Sequence, residues 1–262
     1  MSDTPVYEAL RDALREERPV ALASVTAGPG IGAKLLVRPD GSTVGSLGDP
    51  GLDRVAGRDA RGELEAGLTS IRHYGEHGEA REDTVSVFIE SFAPPPRMII
   101  FGAVDFTRAL ASVAKVLGYR VVVCDARAVF ATRQRFPMAD DVVNEWPNRY
   151  LEKIGDQLGP RDAVCVLTHD TKFDVPAIVG SLATKVGYLG AMGSRRTHAN
   201  RVARLREAGV TDEGLERVMA PIGLDIGART PEETAVSICA EIIAVRTGRE
   251  AKSLRDASGD IH

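Results

Sequence analysis

Cysteine is scarce in this chain, no apolar run is long, and neither sign of charge dominates. Cys124, Cys165 and Cys239 are odd in number and far apart, which excludes a disulfide framework and a CxxC metal knuckle. Each lies in an apolar stretch, so the expectation is three buried thiols and a reducing, cytoplasmic setting. No apolar run reaches the roughly 18–20 residues that a membrane-spanning helix needs. The opening "MSDTPVYEALRDALREERPV" carries charges every few residues, unlike a secretory signal. A net charge of −4 offers no general surface for nucleic acid. Signatures of catalysis are missing as well: there is no Tyr-x-x-x-Lys pair, no GxSxG elbow and no GxxxxGK[ST] loop. "HYGEH", His73–His77, has the H-x-x-E-H spacing of a zinc peptidase, but Gly75 and Gly78 argue against the stable helix that chemistry requires. The absences point to a protein that holds a ligand rather than one that transforms it.

What is present falls into two parts. Pro94, Pro95 and Pro96 cannot continue a helix or a central strand and mark a linker, 94–96. Residues 1–93 read as a small α+β domain. "PVYEALRDALREE" has helical apolar spacing, "PVALASVT" reads as a strand, and "AKLLVRPDGSTVGSL" as a hairpin turning at Pro39-Asp40-Gly41. "LDRVAGRDARGELEAGLTSI" reads as one helix weakened by glycines, and "DTVSVFIESF" as the closing strand. Residues 97–250 alternate strand and helix, with strands expected at 98–101, 120–124, 141–144, 163–168, 186–189 and 218–220. The class is therefore α/β, a Rossmann-like parallel sheet behind a small α+β domain, with a tail over 251–262. A capping box with proline at its start, Thr230-Pro231-Glu232-Glu233, opens the last helix, and Gly248 stops it. In such sheets ligands bind at the carboxyl ends of the strands.

The first of those ends is Gly102, and only part of a dinucleotide fingerprint follows it. Val104 and Thr107 stand where a GxGxxG loop has glycines, and Asp105 adds a charge that repels phosphate. Asp125, 23 residues after Gly102, matches the acidic residue that binds a ribose hydroxyl. NAD(P) thus remains open but disfavoured. A better anion site lies at Gly193-Ser194-Arg195-Arg196-Thr197, where a strand runs into a helix whose apolar face is expected at Ala199, Val202, Ala203 and Leu205. Free amides, two hydroxyls and two guanidinium groups converge there, and cations at a helix N-terminus oppose the macrodipole unless an anion sits between them. His169 and Asp170, with Asp174 nearby, end another strand and could orient a ligand or move a proton. Asp225 lies in a restricted loop, "APIGLDIGARTPEE", that faces the same edge.

Together, "YLGAMGSRRTHANRVARLREAGV", "LTHDTKFDVPAI" and "APIGLDIGARTPEETAVSICAEI" resemble the XdhC/CoxI family, accessory proteins of molybdenum hydroxylases. "AKLLVRPDGSTVGSL" carries the likeness into the first domain. The resemblance implies an XdhC/CoxI-type α+β domain and a Rossmann domain. It implies a non-catalytic chaperone that binds molybdenum cofactor (molybdopterin) and delivers it to an apo molybdenum hydroxylase. A sulfurase and a second copy of the chain are further candidate partners. The phosphate of the pterin is expected at Gly193–Thr197, with His169, Asp170 and Asp225 around its other end and Gly102 and Asp125 lining the neighbouring loop. The rival readings are an NAD(P)-dependent oxidoreductase that uses Asp125, and an assembly partner that has lost ligand binding. Two departures stand out. Family members commonly carry Gly-Gly-Cys where this chain has "GSLGDPGLDRV", with Gly51 at the cysteine, and the usual Gly-Ala-Gly-His loop is here "GAVDF".

Overall fold

The structure is a computed structural model that describes residues 4–80, 82–168 and 170–256. It divides into two compact units, one ending at Pro94 and the other beginning at Pro95. No helix among the described residues is long and apolar enough to cross a membrane.

The first unit holds α1 (Thr4–Arg15), β1 (Val20–Ala27), β2 (Lys34–Val37), β3 (Thr43–Ser46), α2 (Pro50–Ala66), β4 (Ser70–Tyr74) and β5 (Val85–Phe92). Its sheet is antiparallel in the order β3-β2-β1-β5-β4. Alternation along β1 sets the two faces. Ala21, Ala23 and Val25 pack with Leu52, Ala56, Ala60 and Leu64 of α2, whereas Val20 and Leu22 pack with Val6 and Ala13 of α1. The helix expected to run through Ile71 stops at Gly67, which adopts φ 67° and closes its amide on Glu63 and Leu64. The chain can then turn, and Ser70–Tyr74 forms the edge strand β4 against β5.

The second unit holds β6 (Arg97–Phe101), α3 (Asp105–Val116), β7 (Arg120–Cys124), β8 (Asp141–Val143), α4 (Pro147–Ile154), β9 (Ala163–Val166), α5 (Thr171–Leu182), β10 (Tyr188–Ala191), α6 (Arg195–Glu207), α7 (Asp212–Glu216), β11 (Val218–Met219) and α8 (Pro231–Thr247). Every strand pair is parallel and the order is β11-β10-β9-β6-β7-β8. That is the Rossmann order, so the α/β class expected from the sequence holds. Met98 and Ile100 of β6 share one core with α3 and α8, and Ile99 and Phe101 share the other with α4, α5 and α6. Among the strand ends, β6, β8 and β11 each shift by one residue from expectation, and β9 and β10 by two. β9 stops at Val166, and β10 begins at Tyr188, opposite Ala163, because pairing with β9 fixes its register. The capping box of α8 forms as expected, with Thr230 Oγ1 accepting from the Glu233 amide at 3.1 Å and Glu233 accepting from the Thr230 amide at 3.1 Å. Its buried face is narrower than the sequence implied, since Val236 and Ile243 remain partly exposed.

Candidate functional site

β6 and β9 lie side by side, but their helices leave to opposite faces of the sheet, which opens a crevice at their carboxyl ends. Gly102 sits there with φ 109°, and a Cβ on it would lie 2.9 Å from the Thr168 amide nitrogen. Thr107 is fully buried and donates its hydroxyl to the Gly102 carbonyl at 2.5 Å, so the side chain folds back onto the loop. Asp125 reaches the same crevice from β7. Its Oδ2 accepts from the Ala103 amide and from Arg127 Nη2, both at 2.7 Å. Its Oδ1 accepts from the Arg127 amide and Nε, both at 2.9 Å. Burial alone would raise the Asp125 pKa, but the Arg127 bonds and the two amides outweigh it and hold the carboxyl below its ordinary value. Arg127 in turn lies 4.7 Å from the Phe130 ring and 5.7 Å from Phe173, which packs 4.8 Å from Trp146. The space left between Gly102, Asp125, Thr168 and Phe173 is about 10 Å³. That is room for about one water.

The next crevice along the edge, between the N-termini of α5 and α6, is differently equipped. Gly193 takes φ 146° at the exit of β10, close against Thr197. Ser194 caps α6: its Oγ accepts from the Thr197 amide at 3.1 Å and lies 2.9 Å from Thr197 Oγ1. The amides of Arg195 and Arg196, in the first turn, have no intrahelical acceptor. Both side chains are exposed, and the turn contains no acidic residue. Asp170 caps α5 by accepting from the Lys172 amide at 3.1 Å. His169 lies outside the described residues. Asp225 is exposed in the loop after β11. That loop is tied down by Gly223 N–H to Glu241 at 2.9 Å and by Ser237 Oγ to the Leu224 carbonyl at 2.6 Å. Strand order therefore lines up Asp125, Gly102, Asp170 and Ser194–Thr197 in that sequence along one edge, while the loop that carries Asp225 returns from β11 to the end of β10 through the Ile222 amide and the Ala191 carbonyl at 3.1 Å. Three strand spacings separate Asp125 from Ser194–Thr197, roughly 14 Å.

The face of α6 is only partly the one the sequence implied: Leu205 is buried and Val202 half-buried as expected. Ala199 and Ala203 are exposed instead, and Arg201 is buried in their place. Arg201 turns inward because Asp174, equally buried on α5, waits there: Nε donates to Asp174 Oδ2 at 3.1 Å and Nη2 to the Met192 carbonyl at 2.7 Å. An apolar count cannot see such a pair. Sequence reasoning missed Arg127, Trp146, Phe173 and Arg201 as site residues. Arg127 follows Asp125 by two positions, and that spacing was the one available signal.

The three thiols are buried, and His73 and His77 pair within the first unit. All three cysteines are free and buried as expected. Burial pushes Cys124 up to about 12 and Cys239 up to about 11, and raises Cys165 as well. None supplies a thiolate at neutral pH. His73 lies on β4 and pairs with Asp83 at 2.8 Å, while His77 lies in the following turn and pairs with Asp49 at 2.8 Å. The two histidines share no helix. Gly51, in the first turn of α2, has no room for a side chain, since a Cβ would stand 2.3 Å from the His77 carbonyl oxygen.

A Rossmann-type unit whose first loop is filled by its own side chains, with a second glycine-led strand–helix junction two strands along the same edge and a two-faced α+β sheet before it in the chain, defines a narrow class of protein. Residues 98–242 match the XdhC Rossmann domain, and residues 13–75 match the XdhC and CoxI family. The chain belongs to the XdhC and CoxI family. It is 36% identical over 165 residues to a Bacillus subtilis protein named as a probable subunit of xanthine dehydrogenase, a match covering 63% of this chain and 47% of that one. It is 30% identical over 166 residues to the Escherichia coli molybdenum cofactor insertion chaperone PaoD, covering 63% and 45%. The chain thus spans under half the length of these curated relatives. A Bacillus halodurans crystal structure described as a xanthine dehydrogenase shares the fold, with a TM-score of 0.55 at 22% identity over 97% of this chain and 98% of that one.

Proposed function

We propose that this chain binds molybdenum cofactor and delivers it to an apo molybdenum hydroxylase of the xanthine dehydrogenase or carbon monoxide dehydrogenase type. One observation carries the reading: the ribose-binding carboxylate is consumed internally, whereas the cradle at Gly193–Thr197 offers hydrogen-bond donors without an acceptor. The name of PaoD, a cofactor insertion chaperone, supports the same reading. In it, Ser194, Arg195, Arg196 and Thr197 take the phosphate, and Gly193 lets the main chain approach. His169, Asp170 and Asp225 surround the pterin or metal end, and Gly102 and Asp125 form the rigid wall beside them. With the cysteines buried and residue 51 a glycine, the metal end meets oxygen and nitrogen groups alone. Such groups hold a soft metal centre less tightly than thiolate and favour handover over storage.

The geometry disfavours NAD(P) oxidoreduction, because Asp125 has no acceptor left for a ribose hydroxyl. The test is metal and pterin analysis of the purified protein, beside calorimetric titration with NADH and NADPH. Pterin and molybdenum at stoichiometric levels, with release to an apoenzyme, is the expected result. Micromolar nucleotide affinity with no pterin would overturn it.

A further inference from the structure

The described residues contain one buried arginine, Arg201, at 2% exposure, and it is left half-used. Asp174 takes Nε and the Met192 carbonyl takes Nη2, but Nη1 has no partner. Asp174 Oδ1 and His198 Nδ1 are likewise buried and unpartnered. Three orphaned polar atoms in one neighbourhood are unusual, because each costs free energy comparable to a lost hydrogen bond. A buried arginine normally closes a two-bond fork on its carboxylate. Here Nη2 goes to a carbonyl instead, and Nη1 is buried without a partner. Its position is fixed by the turn that enters α6: Nη2 bonds the residue before Gly193 and would lie 3.6 Å from a Cβ on Gly193. The long side chain points back toward the helix N-terminus, as helical side chains do. The free amides of Arg195 and Arg196 and the hydroxyls of Ser194 and Thr197 belong to that same turn.

We infer that Arg201, rather than the exposed Arg195–Arg196 pair, is the fixed anion-binding group of this crevice, and that it selects a terminal phosphate monoester. The inference rests on reading the β10–α6 junction as an anion site. Asp174 is the positioning residue, holding Nε so that Nη1 stays available; its negative charge is met by Arg201 itself. Ser194 and Thr197 spend one hydroxyl hydrogen on each other, which leaves two amides, one hydroxyl and a guanidinium end as donors, and a phosphorus with three free oxygens meets more of them than one with two. A monoester has three and a diester two. The exposed arginines, screened by solvent, steer the anion and add less to its retention.

Heteronuclear NMR of the arginine side chains in the full chain tests this directly. The Arg201 guanidinium is the signal protected by burial, and it is followed while inorganic phosphate, glycerol phosphate or dimethyl phosphate is added. Phosphate and the monoester are expected to shift it and the diester to leave it in place. In calorimetry, Arg201→Lys is expected to lower phosphate affinity at least about tenfold. Arg195→Ala/Arg196→Ala should lower it about two- to threefold. Phosphate binding that leaves the Arg201 signal unmoved would overturn the role of Arg201 while the anion site stands. Equal shifts from the diester would overturn the selectivity. If no anion binds the wild-type chain at all, the reading of the crevice falls with it. The NMR arm uses the unaltered protein, so it decides the matter even where Arg201→Lys fails to fold.

Discussion

The main chain at Gly51 passes so close to His77 that a Cβ on residue 51 would stand 2.3 Å from the His77 carbonyl oxygen. The Asp49 carboxylate fixes this approach twice over. Its Oδ1 caps α2 through the Gly51 and Leu52 amides at 2.7 and 3.0 Å, and its Oδ2 holds the His77 ring at 2.8 Å. The position that the sequence reading matched to a family cysteine is thus filled by a turn of this chain.

Gly51→Cys should therefore cost stability rather than restore a metal contact. Forcing a side chain into a filled space costs about 1–3 kcal/mol. Urea unfolding of wild type and variant measures it. A variant with the wild-type midpoint would mean that the 75–79 turn yields and that residue 51 can hold a thiol.

The Asp49–His77 pair should be visible by titration. The Asp49 hydrogen bond and charge raise the His77 pKa, and the same bond, with the α2 amides, lowers that of Asp49. Because the folded value of His77 is raised, its stabilising share is full below the unfolded histidine pKa and fades as pH climbs through the folded one. For Asp49 the sign reverses, and its share fades as pH falls through the folded carboxyl value. Both groups face solvent, so the expected readout is the NMR titration of His77 and not a shift in melting. Asp49→Asn should bring the His77 pKa down toward its ordinary value; an unchanged titration would remove the pair.

At the Rossmann switch point the expected result is a stability loss without a gain of nucleotide binding. Asp125→Ala strips acceptors from the Ala103 amide and from Arg127, a loss of about 1–3 kcal/mol for a buried donor left unpaired. The depressed pKa of Asp125 means that this stabilisation is present above the unfolded carboxyl pKa and is lost as acid titrates the folded group. Denaturant midpoints at neutral and acid pH would converge in the variant. NAD and NADP should remain near millimolar affinity in both proteins, about −4 kcal/mol.

The thiols should be inert. Cys124 at about 12 and Cys239 at about 11, with Cys165 also raised, hold essentially no thiolate at neutral pH. A thiol reagent should react with all three only after denaturation. Rapid labelling of one in the native protein would make that cysteine a candidate metal contact.

Much of this protein was legible in its residues. The strand–helix alternation after Pro96 determined the Rossmann class, since only a parallel sheet with helices on both faces buries such a pattern. Thr230-Pro231-Glu232-Glu233 fixed the start of α8 because its hydrogen bonds are local. The damaged loop after Gly102 and the basic turn at Arg195–Arg196 were equally visible, being contiguous. Tertiary structure alone decided the rest. It ended α2 at Gly67 and made Ser70–Tyr74 a strand, because β5 offered an edge to pair with. It turned Asp125 from a ribose ligand into an internal brace, because Ala103 on another loop came within 2.7 Å. It buried Arg201 and exposed Ala199, against their ordinary hydropathy, because Asp174 lies 27 residues away in sequence and 3.1 Å away in space. A charge that finds its partner only after folding has no periodicity to betray it, and that is why the buried Arg201–Asp174 pair was the part the sequence did not disclose.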